Sequence, residues 1–264
     1  MAQQRWKLTI EYRGTDYAGW QRQEDGIPSI QQDIEDAITR FCGQDCRVHV
    51  AGRTDAGVHA HGQVAHFDLD YSDRPLTGYS LAKAINANLK THAIAILQAE
   101  PVADDFHARY GATHKLYTYR VLCRVAPPAF DADCVWWMRR NLDVAAMREG
   151  AAYLLGHHDF TTFRASECQA KSPLRTLDRL DIHGISLKGE GGGDADAFGH
   201  EIRFYVEARS FLHHQVRNMV GTLVQVGLGK WSPERVGTAL AARDRRQGGI
   251  TAPASGLSLT RVYY

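Results

Sequence analysis

The chain has 264 residues, 44% hydrophobic and 23% charged, with a formal net charge of +1. It is long enough for one large domain or two smaller ones with real cores, and it has no apolar run of the ~18 residues that a membrane span needs. Near-neutral charge gives no bulk pull towards nucleic acid, though a basic groove balanced by acidic loops would be compatible with it. The N-terminal MAQQRWKLTI runs straight into a strand pattern without an apolar leader, so a cytoplasmic protein is expected. The cysteines, Cys42, Cys46, Cys123, Cys134 and Cys168, are scattered and odd in number, and are expected to be reduced thiols.

Trp6, Leu8, Ile10 and Tyr12 alternate with polar residues, the period of a half-buried strand. Ser29 caps a helix, with Gln32 completing a capping box and a stripe of Ile30, Ile34, Ala37, Ile38 and Phe41 that Gly43 ends. Residues 47–51 and 63–69 read as strands, Leu81, Ile85 and Leu89 mark a second helix, and 93–98 is a further strand. The order βαββαβ is the split, ferredoxin-like arrangement.

The rest of the chain repeats the plan without repeating the sequence. Residues 115–122 form a strand; Asp143 caps a helix with Val144, Met147, Ala151 and Leu155 inward. Strands follow at 175–183 and 200–208, then a helix at 212–226 with Leu212, Val216, Met219, Val220 and Leu223 on one face. Ser232 and Pro233 open another helix, and 257–263 closes as a strand, giving βαββααβ. The expected class is therefore α+β, in two ferredoxin-like (RRM-like) halves, 1–105 and 106–264. Alternation leaves open whether their sheets pack separately or join at an edge. Residues 187–201 read as an acidic, glycine-rich hairpin tip whose carboxylates would repel phosphate.

Four stretches carry chemistry-bearing side chains. In Gly52-Arg53-Thr54-Asp55-Ala56-Gly57, glycines flank a polar pair, so the turn can bring Asp55 close to a ligand with Arg53 beside it. That suits a carboxylate nucleophile, and equally a solvated turn with a weak ion pair. His59 and His61 share a strand face and with Asp55 could form a two-histidine, one-carboxylate metal site, while packed histidines are the plainer reading. His213 and His214 form an adjacent pair that should point apart. Tyr117 and Tyr119 share a face of the 115–122 strand beside Lys115, an arrangement that can stack bases but that tyrosine-rich strands also show for their own sake. Arg217 lies four residues after His213 and three after His214, so the three approach one another along a helix. If buried, Arg217 needs a carboxylate, for which Asp55 is a candidate; a surface arginine is the alternative.

Taken together, YRGTDYAGWQRQ (12–23), AGRTDAGVHA (51–60), GQVAHF (62–67), KLYTYR (115–120), FLHHQVRNMVG (211–221) and APASGL (252–257) resemble the TruA-type tRNA pseudouridine synthases from end to end. The chain departs from the family pattern at Arg13, where aspartate is common, at Ser258, where an aromatic is usual, and in an acidic insertion at 189–199. The resemblance implies two halves joined into one mainly antiparallel sheet with helices on one face and an active-site cleft between them. It implies isomerisation of uridine to pseudouridine at positions 38–40 of the tRNA anticodon arm, by a cofactor-free and metal-free homodimer. Carried onto this chain, it makes Asp55 the nucleophile, attacking C1′ of the ribose or C6 of the base. Tyr117 becomes the stacking residue and a candidate for removing the C5 proton, Arg217 the basic partner of the carboxylate, while Leu257 packs in the pocket and Arg53 assists base extrusion or phosphate binding. His59 and Phe211 join Arg53, Tyr117 and Leu257 among the substrate-contacting residues. Two rival functions stand beside it: a non-catalytic RNA-binding module, and a metal-dependent hydrolase built on His59, His61 and Asp55.

Overall fold

A computed structural model describes residues 3–24, 26–70, 76–187 and 199–264. Almost all of the acidic insertion at 189–199 lies outside them. The chain divides into two compact units, one built from residues up to Thr113 together with Leu259–Tyr264, the other from His114–Ser258. Both are mixed α+β with mainly antiparallel pairing. No helix among the described residues is long and apolar enough to cross a membrane.

In the first unit the elements follow the expected order: β1 (Gln4–Tyr12), α1 (Ile30–Cys42), β2 (His49–Val50), β3 (His59–Leu69), α2 (Gly78–Ala87) and β4 (Ile94–Val102). β1 runs antiparallel between β4 and β3, and β2 pairs with β3 at Ala65 and His66, the ferredoxin-like order. Trp6, Leu8, Ile10 and Tyr12 all face the core, as their alternation requires. Ser29 accepts the Gln32 amide, and Gly43 ends α1 at φ 73°, a left-handed conformation that costs glycine little. Ile30, Ile34 and Ile38 of α1 and Leu81 and Ile85 of α2 are fully buried. Glu35 on α1 is buried too, accepting from Gln31 Nε2 at 2.8 Å, the Val48 amide at 3.0 Å and Arg22 at 3.2 Å.

The second unit holds β5 (His114–Cys123), β6 (Trp136–Met138), α3 (Val144–Ala152), β7 (Gly156–Asp159), β8 (Leu174–Leu177), β9 (Arg179–Ser186), β10 (His200–Ala208), α4 (Gln215–Gly227) and α5 (Glu234–Ala242). β10 runs antiparallel between β5 and β9, with β6 parallel to the end of β5. The expected strand at 175–183 is divided, since β8 turns away to pair with β7 and only β9 joins β10. α3 stops at Ala152, which leaves Leu155 exposed and buries Leu154 in its place. The final strand β11 (Leu257–Tyr263) passes from Leu259 onward into the first unit, beside β3: the Thr260 carbonyl lies 2.8 Å from where a Cβ on Gly62 would stand. The five cysteines are free thiols.

One buried titratable group makes the first unit acid-sensitive. His66 is 3% exposed, its Nδ1 accepts the Ala108 amide at 3.2 Å, and its ring lies 5.1 Å from that of His49 and 4.7 Å from that of His107. Burial first, then the neighbouring His107, His49 and Arg5, lower its pKa from 6.5 to about 4. The folded state therefore binds fewer protons than the unfolded chain between these values. The contribution of neutral His66 is complete above pH 6.5 and is lost as the pH falls towards 4. The urea midpoint should decline over that window, and His66→Gln should flatten the decline; an unaltered slope in the variant would refute the assignment.

Candidate active site

The glycine loop is built from three of the sequence motifs. It follows β2, and its geometry is set by buried groups of β1 and β3. The Tyr12 hydroxyl meets Thr54 Oγ1 at 2.8 Å, and Gln63 Nε2 donates to the Gly52 carbonyl at 2.8 Å and to the Tyr12 oxygen at 3.3 Å. The segment after β1 then folds over the loop. Trp20 N–H donates to the Thr54 carbonyl at 3.1 Å and Gly57 N–H to the Tyr17 carbonyl at 3.2 Å, while the Asp55 carbonyl closes a turn by accepting the Val58 amide at 3.1 Å.

Two glycines make this approach possible. A Cβ on Gly14 would lie 2.1 Å from the Val58 carbonyl oxygen, and one on Gly19, at φ 101°, would lie 2.7 Å from that of Thr54. Asp55 is left half-buried and Arg53 exposed, with Thr54 between them turned inward. The loop is thus a hydrogen-bonded platform that presents one carboxylate, which a merely solvated turn would not require. Burial pushes the Tyr12 phenol up to about 12, so its hydroxyl keeps its proton across the physiological range.

His59 and His61 do not share a face. His59 is 4% exposed, whereas the His61 side chain is 61% exposed and lies 3.9 Å from Glu11. The β1–β3 register shifts between Ile10, opposite Gln63, and Tyr12, opposite Ala60, and the irregularity breaks the alternation there. His59 Nδ1 accepts the Gly14 amide at 3.0 Å, which occupies that nitrogen's lone pair. The ligand set proposed for a hydrolase therefore does not converge.

In the second unit the remaining motifs also meet. Tyr117 on β5 is 8% exposed, its ring edge-on to Phe211 at 5.2 Å. Tyr119, fully buried two residues on, donates its hydroxyl to the Pro253 carbonyl at 2.8 Å, and burial raises its pKa. Arg217 on α4 is half-buried; its Nε donates to the Ala252 carbonyl at 2.8 Å, and its own carbonyl accepts the Ala252 amide at 3.1 Å. That pairing ties α4 to the turn leading into Leu257, which is 5% exposed at the start of β11. Gly221 lets the same segment approach, since a Cβ there would stand 1.9 Å from the Ile250 oxygen.

His213 and His214 differ from expectation. Both precede α4, because His214 takes a left-handed conformation at φ 60° as its N-cap. The helical spacing from His213 and His214 to Arg217 therefore does not apply, and the two imidazoles pack together with centroids 4.1 Å apart instead of pointing apart. The residues that sequence reasoning passed over are Tyr12, Thr54 and Gln63. Their signal was weak: a tyrosine ending an apolar alternation, and a glutamine in a strand's inward register.

By fold, the chain is an α+β protein of two units, the first of ferredoxin-like order, with an acid-bearing loop in the first and an aromatic and basic set in the second. The sequence profile of the tRNA pseudouridine synthase family matches residues 8–111 and 151–264. tRNA pseudouridine synthase A of Paramagnetospirillum magneticum is 53% identical over 260 residues, covering 98% of this chain and 95% of that protein. The tRNA pseudouridine synthase A of Rhodospirillum centenum is 50% identical over 261 residues, covering 99% of this chain and 100% of the relative. That of Xanthobacter autotrophicus is 51% identical over 260 residues, with 98% and 99% covered. The chain belongs to the tRNA pseudouridine synthase family.

Proposed function

We propose that this protein isomerises uridine to pseudouridine in tRNA, acting in the anticodon arm at positions 38–40. The observation that carries the reading is Asp55: a family match over the whole chain coincides with a loop whose main chain is held from several sides and whose outstanding reactive group is one carboxylate. The reaction breaks the bond from ribose C1′ to N1 and forms one from C1′ to C5. The C5 proton is lost and N1 gains one, so electrons balance without a redox carrier. Asp55 supplies the nucleophile that holds the ribose or base while the glycosidic bond moves. Tyr117 stacks on the extruded base, replacing part of the stacking lost when the nucleotide leaves its helix. Leu257 and Phe211 line the apolar surroundings of that base, Arg217 supplies the balancing positive charge, and Arg53 and His59 complete the substrate contacts. The functional division follows the halves 1–105, which carry the nucleophile, and 106–264, which carry the stacking and basic residues. We read the enzyme as a cytoplasmic homodimer.

The test is to incubate purified protein with unmodified, folded tRNA in EDTA and to map pseudouridine by carbodiimide modification and primer extension. Product confined to the anticodon arm is expected. Product only elsewhere in the tRNA would overturn the site assignment, and none at all would overturn the activity.

A further inference from the structure

We propose that Tyr12 and Gln63 are positioning residues for the Asp55 carboxylate, acting through Thr54 as a buried hydrogen-bonded clamp. This rests on the reading of Asp55 as the nucleophile. The clamp is anchored through the Gln63 amide. Gln63 Oε1 accepts the Val64 amide at 3.1 Å, which orients its amide group. Its Nε2 then gives one hydrogen to the Gly52 carbonyl at 2.8 Å and the other to the Tyr12 oxygen at 3.3 Å. The Tyr12 hydroxyl, which accepts from Gln63, shares a further hydrogen bond with Thr54 Oγ1 at 2.8 Å. The connected bonds end on the residue next to Asp55.

Packing alone does not account for these polar atoms. Tyr12 is 3% exposed and Gln63 fully buried, with the Tyr12 ring 6.0 Å from that of Trp20. Phenylalanine and leucine would fill the same volumes without the cost of burying a hydroxyl and an amide. The hydrogen bonds of those groups lead to Gly52 and Thr54, on the approach to Asp55, and to Gln63's own neighbour Val64. The Thr54 carbonyl is taken by Trp20 and the Asp55 carbonyl by Val58. Main chain and preceding side chain are thus both held on the approach to the Asp55 carboxylate. An error of about 1 Å in a reacting group can cost on the order of 100-fold in rate, so a clamp of this kind acts on the chemical step and not on substrate affinity.

The experiment compares Tyr12→Phe, Thr54→Val and Thr54→Ser with wild type. It measures single-turnover rates at saturating tRNA, tRNA dissociation constants and melting temperatures, with Asp55→Ala alongside. Tyr12→Phe and Thr54→Val are each expected to slow the single-turnover step by about 10- to 100-fold with tRNA affinity unchanged. Thr54→Ser, which keeps the oxygen, should restore most of the rate. The double variant should be no slower than the worse single one, because both remove the same contact. A Tyr12→Phe rate within about twofold of wild type overturns the inference, as does a defect confined to tRNA binding. If Tyr12→Phe does not fold, the near-isosteric Thr54→Val and Thr54→Ser pair carries the same test, and equal rates in that pair overturn it. Turnover by Asp55→Ala sinks the nucleophile reading itself. An inactive Asp55→Ala beside a fully active Tyr12→Phe sinks the clamp alone.

Discussion

Replacing Asp55 by alanine is expected to abolish pseudouridine formation while leaving tRNA binding intact. The loop's main chain is held by other groups: Thr54 by Tyr12 and Trp20, Gly52 by Gln63, and the Asp55 carbonyl closes the turn by accepting the Val58 amide. Alanine keeps that carbonyl, so the loop's main-chain frame should survive the loss of the carboxylate. If the carboxylate is the nucleophile, the loss should exceed about four orders of magnitude in the single-turnover rate, as deletion of a covalent catalyst does elsewhere. Asp55→Asn should be equally inactive, since an amide matches the shape and not the nucleophilicity. Affinity for tRNA should stay constant or rise slightly, because a negative charge near a polyanion is removed. Filter binding and single-turnover product mapping on the same preparations decide the matter. Residual turnover above about 1% of wild type would assign Asp55 an electrostatic or structural role instead.

The second large effect concerns stability and falls far from the glycine loop in sequence. Glu201 on β10 is 4% exposed and lies between two arginines. Arg120 on the neighbouring β5 grips it with two bonds, Nε to Oε1 at 2.9 Å and a terminal nitrogen to Oε2 at 3.0 Å, and Arg203 adds a third at 2.5 Å. Burial by itself would raise the carboxyl's pKa, but the hydrogen bonds from Arg120 and Arg203 outweigh it and the net shift is downward. Glu201→Leu should cost about 3–5 kcal/mol, because it leaves Arg120 half-buried against an apolar side chain, with the exposed Asp131 its remaining ion-pair partner among the described residues. Urea denaturation should show a much lower midpoint. Glu201→Gln should fall between the two, since it keeps one acceptor oxygen. With a depressed folded pKa, the stabilisation by Glu201 is complete above its unfolded value and is lost as the pH falls through the folded one. A Glu201→Leu midpoint equal to wild type would mean that the pair's attraction only offsets the cost of burying it.

Much of the architecture is legible in the sequence. The strand at Trp6–Tyr12, the α1 stripe capped by Ser29 and ended by Gly43, and the βαββαβ order of the first unit all rest on local periodicity and capping, which short-range sequence reports directly. Departures came where a single backbone conformation or a distant pairing intervened. His214 at φ 60° delays α4 to Gln215, so the spacing from His213 to Arg217 is no helical spacing. The irregular register opposite Tyr12 turns His59 inward and His61 outward, and with that the metal-ligand pattern dissolves. Neither event leaves a mark in a hydrophobicity pattern.

By itself, the sequence determined the elements, the α+β class and the identity of the motifs, because these depend on residue type and near neighbours. It also made Asp55 conspicuous, an acid between glycines where packing asks for none. Only the tertiary structure decided what those motifs do for one another. Tyr12 reaches Thr54 across 42 positions, Gln63 reaches Gly52 across 11, and Arg217 meets Ala252 across 35. It also decided that the last strand, from Leu259 onward, belongs with the first unit. The physical reason is the same in each case. Buried polar groups must find partners, and the partner is chosen by which segments the folded chain brings within about 3 Å, a distance that sequence separation does not encode.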